Sequence, residues 1–162
     1  MSEPVVSIRD LQYRYRGQKG FALEGINLSL DQGEFMMLMG PSEAGKSTLA
    51  ATINGLIPHF HMGKLSGEVE VMGRNTKKFS VAQMAELVGM VFQDFEAQLF
   101  STNVELEVAF GPENFALPSE EIKNRIDENL NYVGLEGFRN RPPSTLSGGQ
   151  KQKLAIASVL AL

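Results

Sequence analysis

The sequence contains no cysteine, which excludes disulfides and thiolate metal sites and suits a reducing cytoplasm. It has only two histidines, His59 and His61, with no third ligand in sight, so the pair reads as a solvated loop rather than a metal site. No run of about 18 apolar residues exists, so no segment is expected to span a bilayer. The opening Met1-Ser2-Glu3-Pro4 lacks a basic stretch followed by an apolar one, and no secretory leader is expected. Positive charge is short as well. Lys and Arg number 15 against 19 Asp and Glu, a net charge of −4. Such a surface as a whole does not invite nucleic acid or anionic lipid, although it leaves room for a local basic patch. Internal repeats and low-complexity tracts are absent. What remains is an ordinary globular balance, 43% apolar and 21% charged over 162 residues, enough for one domain with a core.

The most informative stretch is Gly40-Pro41-Ser42-Glu43-Ala44-Gly45-Lys46-Ser47-Thr48, which fits the P-loop pattern G-x-x-x-x-G-K-[ST]. Its context fits too. Glu34-Phe35-Met36-Met37-Leu38-Met39 is a largely apolar run of strand length, and Leu49 to Leu56 reads as a helix. Successive backbone N–H groups in such a loop form an anion nest, and Gly40 and Gly45 permit the angles it needs. The helix starting near Lys46 adds free N–H groups and a partial positive charge. Lys46 is expected at the β- and γ-phosphates, the Ser47 hydroxyl on Mg²⁺, and Thr48 at the α-phosphate.

Along the chain, Val5 to Arg9 reads as one strand, and Leu11 to Arg16, which alternates, as a second, followed by a turn at Gly17 to Gly20. Ile26 to Leu30 alternates strictly, and Asp31-Gln32-Gly33 is a turn that returns the chain as the strand entering the loop. Tyr13 and Tyr15 suit either a packed strand or stacking on a base. Residues 57–63 read as a loop, and Ser66 to Met72 as a strand. Ser80 and Gln83 form a capping box opening a helix through about Leu87. Val88 to Phe92 reads as a buried strand. Thr102 and Glu105 form a second box, opening a helix expected to stop at Gly111-Pro112. Ile122, Ile126, Leu130 and Val133 make one stripe of an amphipathic helix with Gly134 as its C-terminal cap. Residues 138–143 read as an irregular basic connector. Ser147 and Gln150 form a third box, starting a helix whose apolar surface is Leu154, Ile156, Ala157, Leu160 and Ala161.

Leu146-Ser147-Gly148-Gly149-Gln150 is the LSGGQ signature of ABC ATPases, about 100 residues after the P-loop. With both motifs the chain resembles that family over nearly its whole length. The resemblance implies an α/β fold: a P-loop NTPase core of mostly parallel sheet with flanking helices, a small antiparallel β-layer and a helical subdomain. Residues 1–92 would hold the β-layer and core, 93–146 the Q-loop and helical subdomain, and 147–162 the signature helix. It implies ATP and Mg²⁺ as ligands and ATP hydrolysis as the activity. Tyr15 takes the role of the aromatic that stacks on adenine, and Gln93 that of the Q-loop glutamine near Mg²⁺ and the attacking water. Ser147, Gly148, Gly149 and Gln150 would contact ATP held by the P-loop of a second ATPase subunit or domain, paired head to tail.

Phe92 to Ser101 and Val104 to Asn114 further resemble the ATPases of energy-coupling-factor transporters, which power uptake of vitamins or of cobalt and nickel ions. The resemblance implies a membrane coupling protein and a substrate-binding membrane subunit as partners, a place on the cytoplasmic face of the membrane, and no nucleic acid. Phe95, Leu99 and Phe100 either dock the coupling protein or complete the subdomain's own core. Glu43 departs from the glycine most relatives have. The family also continues past an apolar helix into a strand carrying an Asp and a catalytic Glu, then a switch His; this chain is expected to be a fragment, inactive by itself. About fifty residues separate Gln93 from Leu146, too few for the coiled coil of the chromosome-maintenance branch. A non-transport relative in DNA repair or translation, or an inactive nucleotide-binding module, are the alternatives.

Overall fold

The computed structural model describes residues 4–162, so the leader expectation at residues 1–3 lies outside it. Two compact units divide after Val88. The first holds β1 (Val6–Tyr15), β2 (Leu23–Leu30), α1 (Lys46–Ile53), α2 (Leu56–His59), β3 (Gly63–Val71), β4 (Arg74–Asn75) and α3 (Val81–Ala85). Its sheet runs β2-β1-β3-β4 with every neighbour antiparallel.

β1 corrects the expectation of two strands. Val6 and Ile8 are buried, Arg9 and Asp10 are both exposed, and Leu11 and Tyr13 are buried again. The inserted residue is a β-bulge that re-phases the alternation so one face stays apolar throughout. Pairing with β2 shifts between Ile8 and Leu11, and with β3 between Arg9 and Gln12. Asp10 takes φ 47°, and its N–H donates to Asn27 Oδ1 at 2.9 Å while Asn27 Nδ2 donates to Asp10 Oδ1 at 3.1 Å. Opposite, Gly67 has φ +78°, and a Cβ there would lie 2.3 Å from the Asp10 carbonyl oxygen.

Two expected strands do not form. Residues 34–39 and 88–92 run as chain without ladder partners, with Phe35 85% and Met39 83% exposed. An apolar run becomes a strand only when a neighbouring strand accepts its hydrogen bonds, and among the described residues none lies beside either run. The turn at Asp31 therefore delivers extended chain, with the Asp31 N–H held by Glu34 Oε2 at 2.9 Å.

Helix boundaries differ as well. α1 ends at Ile53, where Gly55 turns with φ 80°, and α2 occupies part of the stretch read as loop. The box at Ser80 and Gln83 forms as expected, on a helix that closes at Ala85.

The second unit holds α4 (Val104–Asn114), α5 (Ser119–Val133) and α6 (Gly148–Leu160), packed around Val104, Val108, Ile126, Leu130, Leu154 and Ala157. α4 is capped by Asn103, whose Oδ1 accepts the Leu106 N–H at 2.8 Å, so the box expected at Thr102 is displaced by one residue. The helix also passes Gly111 and Pro112. Pro112 gives up one donor, yet the Phe115 N–H reaches Gly111 O and the Leu117 N–H reaches Pro112 O, which closes the last turn. The α5 stripe and its Gly134 cap, φ 70°, are as expected. On α6, Leu154, Ala157 and Ala161 are buried, but Ile156 and Leu160 are exposed and Ala155 is buried instead, so the apolar face is turned from the expected one.

Gly67 and Gly73 share φ +78°, but nothing lies within 4 Å of a Cβ at Gly73. Gly73→Ala is expected to cost about 1 kcal/mol, the left-handed penalty alone, and Gly67→Ala at least about 3 kcal/mol through the added clash. Urea unfolding of the two variants measures the difference.

Candidate functional site

The loop preceding α1 is built by backbone geometry. Gly45 caps the helix with φ 87°, and Gly40 has φ 157°. A Cβ on Gly45 would lie 2.5 Å from the Ala22 carbonyl oxygen, so the loop seats directly on the chain entering β2. Lys46 bends back over the loop, its Nζ donating to Gly40 O at 2.9 Å and Pro41 O at 2.7 Å. Pro41, Ser42 and Ala44 are exposed around it. The first N–H groups of α1 have no intrahelical acceptor and face this loop.

Tyr15 is set beside the loop by a buried neighbour. Tyr13 is fully buried, donates its hydroxyl to His61 O at 3.0 Å, and meets Tyr15 edge-on with ring centroids 4.8 Å apart. Gly63 makes room, since a Cβ there would lie 2.6 Å from the Tyr13 ring. Burial, and secondarily the Tyr15 phenol, push the Tyr13 pKa above its ordinary range. The Tyr15 and Thr48 hydroxyls are 3.1 Å apart, which ties the strand end to α1 and gives the Thr48 oxygen a protein partner beyond the phosphate role expected of it. Tyr15, Gln18, Phe21, Ala22 and residues 43–48 line a cavity of about 440 Å³. Gln18 and Phe21 were not foreseen; a single aromatic after the Gly17–Gly20 turn was the only signal.

The Ser47 hydroxyl is exposed on the first turn of α1, next to Lys46. An exposed hydroxyl beside a polyphosphate cradle fits a hard divalent cation such as Mg²⁺, which takes oxygen ligands. Glu43 is the discordant member: a non-glycine residue at φ 67° that lines the same cavity as Lys46. His59 Nε2 meets Thr76 O at 2.9 Å, and no cluster of three or more metal-ligating side chains occurs among the described residues.

In the second unit, Gln93 is exposed in the chain after residue 92. Gln98 anchors that chain from the side, its Oε1 accepting the Phe92 N–H at 2.8 Å and its Nε2 donating to Met90 O at 3.3 Å. Glu107, only 4% exposed, accepts the Phe100 and Ser101 N–H groups at 3.0 and 2.8 Å. The apolar set divides: Leu99 packs on the helical core, whereas Phe100 is 63% exposed and lies edge-on to Phe110 at 4.6 Å. Ser147 caps α6, accepting the Gln150 N–H at 3.4 Å while Gln150 Oε1 accepts the Ser147 N–H at 2.9 Å. Gly148 and Gly149 border open space. Lys151 joins Glu96 at 2.7 Å, binding the start of α6 to the segment after Gln93.

A glycine-rich loop, a lysine folded over it and an aromatic wall together make a P-loop arrangement on an α/β fold. Residues 23–162 match the family described as ABC transporter, and the chain belongs to that family, whose ATPases bind ATP, typically with Mg²⁺, and generally hydrolyse it. It is 60% identical over 162 residues to a protein of Caldanaerobacter subterraneus subsp. tengcongensis provisionally named an ABC transporter ATP-binding protein, covering 99% of this chain and 28% of that one. It is 43% identical over 160 residues to the energy-coupling factor transporter ATP-binding protein EcfA of Methanocaldococcus jannaschii, covering 98% of this chain and 55% of that one. Among solved structures it is similar to cbiO1 from Clostridium perfringens, part of the ABC transporter complex cbiONQ, with TM-score 0.85 and 34% identity over 99% of this chain and 62% of that one. It is also similar to the ATP-binding cassette MJ0796, solved as a dimer in a post-hydrolysis state with ADP and Pi, with TM-score 0.77 and 32% identity over 96% of this chain and 69% of that one. The chain thus spans between about a quarter and a little over half of these two curated relatives.

Glu43→Gly is expected to tighten ATP binding several-fold and to raise stability by about 1 kcal/mol as the left-handed backbone is relieved. Glu43→Gln keeps the strain and drops the charge, so it isolates the electrostatic share. Calorimetric titration with ATP and urea unfolding measure the two effects. Unchanged affinity in both variants would mean that the carboxylate turns away from the phosphates.

Proposed function

We propose that this chain forms the nucleotide-binding part of an ATP-hydrolysing subunit of an energy-coupling-factor type importer, driving uptake of a vitamin or transition-metal ion. The observation that carries the nucleotide role is the single cavity bringing Tyr15 together with Lys46 and Ser47. Tyr15 stacks on the adenine. The loop N–H groups and Lys46 hold the phosphates, and the Ser47 hydroxyl is a ligand for Mg²⁺, which when bound neutralises phosphate charge. Gln93 orients the attacking water, and Ser147 with Gly148, Gly149 and Gln150 closes on the nucleotide of a second ATPase subunit or domain. The open start of α6, with its capped serine and bare glycines, supports that role.

The import reading rests on the similarity to EcfA and cbiO1 and on the segment from Phe92 to Asn114. It brings a membrane coupling protein and a substrate-binding membrane subunit as partners and a place at the cytoplasmic face of the membrane. No helix among the described residues is long and apolar enough to cross a membrane. Phe100 and Phe110 offer exposed aromatic area for the coupling protein.

In the intact protein, Lys46→Ala is expected to weaken ATP binding at least about tenfold, the loss of a charge-assisted phosphate contact. Ser147→Arg is expected to leave binding in place and remove hydrolysis, and Gln93→Ala to lower hydrolysis with binding retained. Nucleotide titration and phosphate release separate these outcomes. Purification of the tagged intact protein from its membranes tests the importer reading: recovery of small membrane subunits is expected, and recovery of ribosomes or DNA in their place would refute it.

A further inference from the structure

Two cavities meet at Tyr15. One is the phosphate cradle. The other, about 650 Å³, lies at the C-terminal end of β1 and is lined by Arg14, Arg16, Lys19 and Lys64, with Tyr15 and Met62 as less polar wall. Four cations and no carboxylate line it. Among the described residues none of the four belongs to an ion pair. Arg14 lies 5.6 Å from the Phe21 ring centroid, and Arg16 meets the Met62 sulfur at 3.8 Å. This concentration of positive charge stands in a chain with 15 basic and 19 acidic residues.

The β1–β3 ladder shows that the charge pattern is selective. Towards one end, Arg9 faces Glu68 and also reaches Glu70 at 3.0 Å, and the two carboxylates raise the Arg9 pKa. Towards the other end, Arg14 faces Lys64. Directly opposed residues share a face of the sheet, and like charges there are destabilising. Two residue pairs further on, the Arg16 N–H bonds Met62 O at 3.1 Å, adding a third cation at the same end. The same two strands thus pair opposite charges at one end and like charges at the other. Local conflicts of this kind concentrate at functional sites.

We propose that this cavity binds a phosphate-bearing anion, as a free di- or triphosphate group or as a phospholipid headgroup. The residue types match: guanidinium forks grip phosphate oxygens in pairs and ammonium groups add point charge. Clefts lined by one sign of charge also raise the local concentration of the opposite ion. The cavity shares Tyr15 and Gln18 with the one around Lys46 but none of the loop residues 43–48, so its cations stand whether or not the nucleotide reading does.

The test uses the intact protein carrying Lys46→Ala, which weakens the cradle. Pyrophosphate is titrated without Mg²⁺ while Tm is followed, and vesicles with and without phosphatidylglycerol are tested by flotation. A rise in Tm assigns the site to a free polyphosphate, and flotation only with phosphatidylglycerol assigns it to a headgroup. Adding Lys64→Glu is expected to lower the affinity for that ligand at least about tenfold. It also places an acid opposite Arg14, so its Tm without ligand is expected to exceed that of its parent, which separates lost binding from lost folding. Lys19→Gln, on the adjoining turn, is expected to give a smaller loss with unchanged Tm. If neither probe acts on the parent, or if Lys64→Glu responds as the parent does, the proposal is overturned.

Discussion

The cavity beside the phosphate-loop motif depends on how closely backbone can approach backbone around the Tyr13 ring. Gly63 lies against one side of that ring, and the Ala22 N–H bonds the Tyr13 carbonyl at 2.8 Å. The Ala22 carbonyl in turn abuts Gly45. Each contact leaves no space for a Cβ, so small residues at these two positions are steric requirements. Through them the sheet fixes both the aromatic wall and the phosphate loop, although they come from segments some thirty residues apart. Preorganisation of this sort matters because phosphate binding gains most when donors need no rearrangement.

The bulge at Asp10 serves the same end. Without the extra residue, the buried face of β1 would run from Val6 and Ile8 into the polar set Asp10, Gln12 and Arg14. With it, Leu11 and Tyr13 stay in the core and Tyr15 follows them to the mouth of the cavity. The Asn27 side chain makes this arrangement affordable by accepting the bulge's N–H.

Much of this was legible in the sequence because it is local. Glycine spacing, capping boxes and the α5 stripe each express a short-range rule, and each appears where the residues put it, apart from the box at Thr102 that moved to Asn103. The two-strand reading of residues 5–16 failed because a change of phase at Asp10 has two meanings, a strand end or a bulge, and only the partner strands decide. The runs at 34–39 and 88–92 were misread for a related reason: composition specifies that a segment suits a sheet, while pairing is a property of what lies beside it. Gln98 and Glu107, which hold the chain near Gln93, carried no signal, since a lone polar residue in a loop looks the same whether or not it bonds distant backbone. Tyr15 was singled out only by family resemblance, since the residues alone left it between a packed strand and a stacking surface; the structure puts it in the wall of the cavity beside residues 43–48.

The bare stretch after Asp31 bears on how the polypeptide behaves during synthesis. Phe35 to Met39 carries no charge, no proline and no bulky polar group, and its amides are unpaired. Such a segment is a template for cross-chain β-zippers at high concentration. A nascent chain is therefore most open to self-association through that one short span, whereas β1, paired on both sides by β2 and β3, offers no free edge.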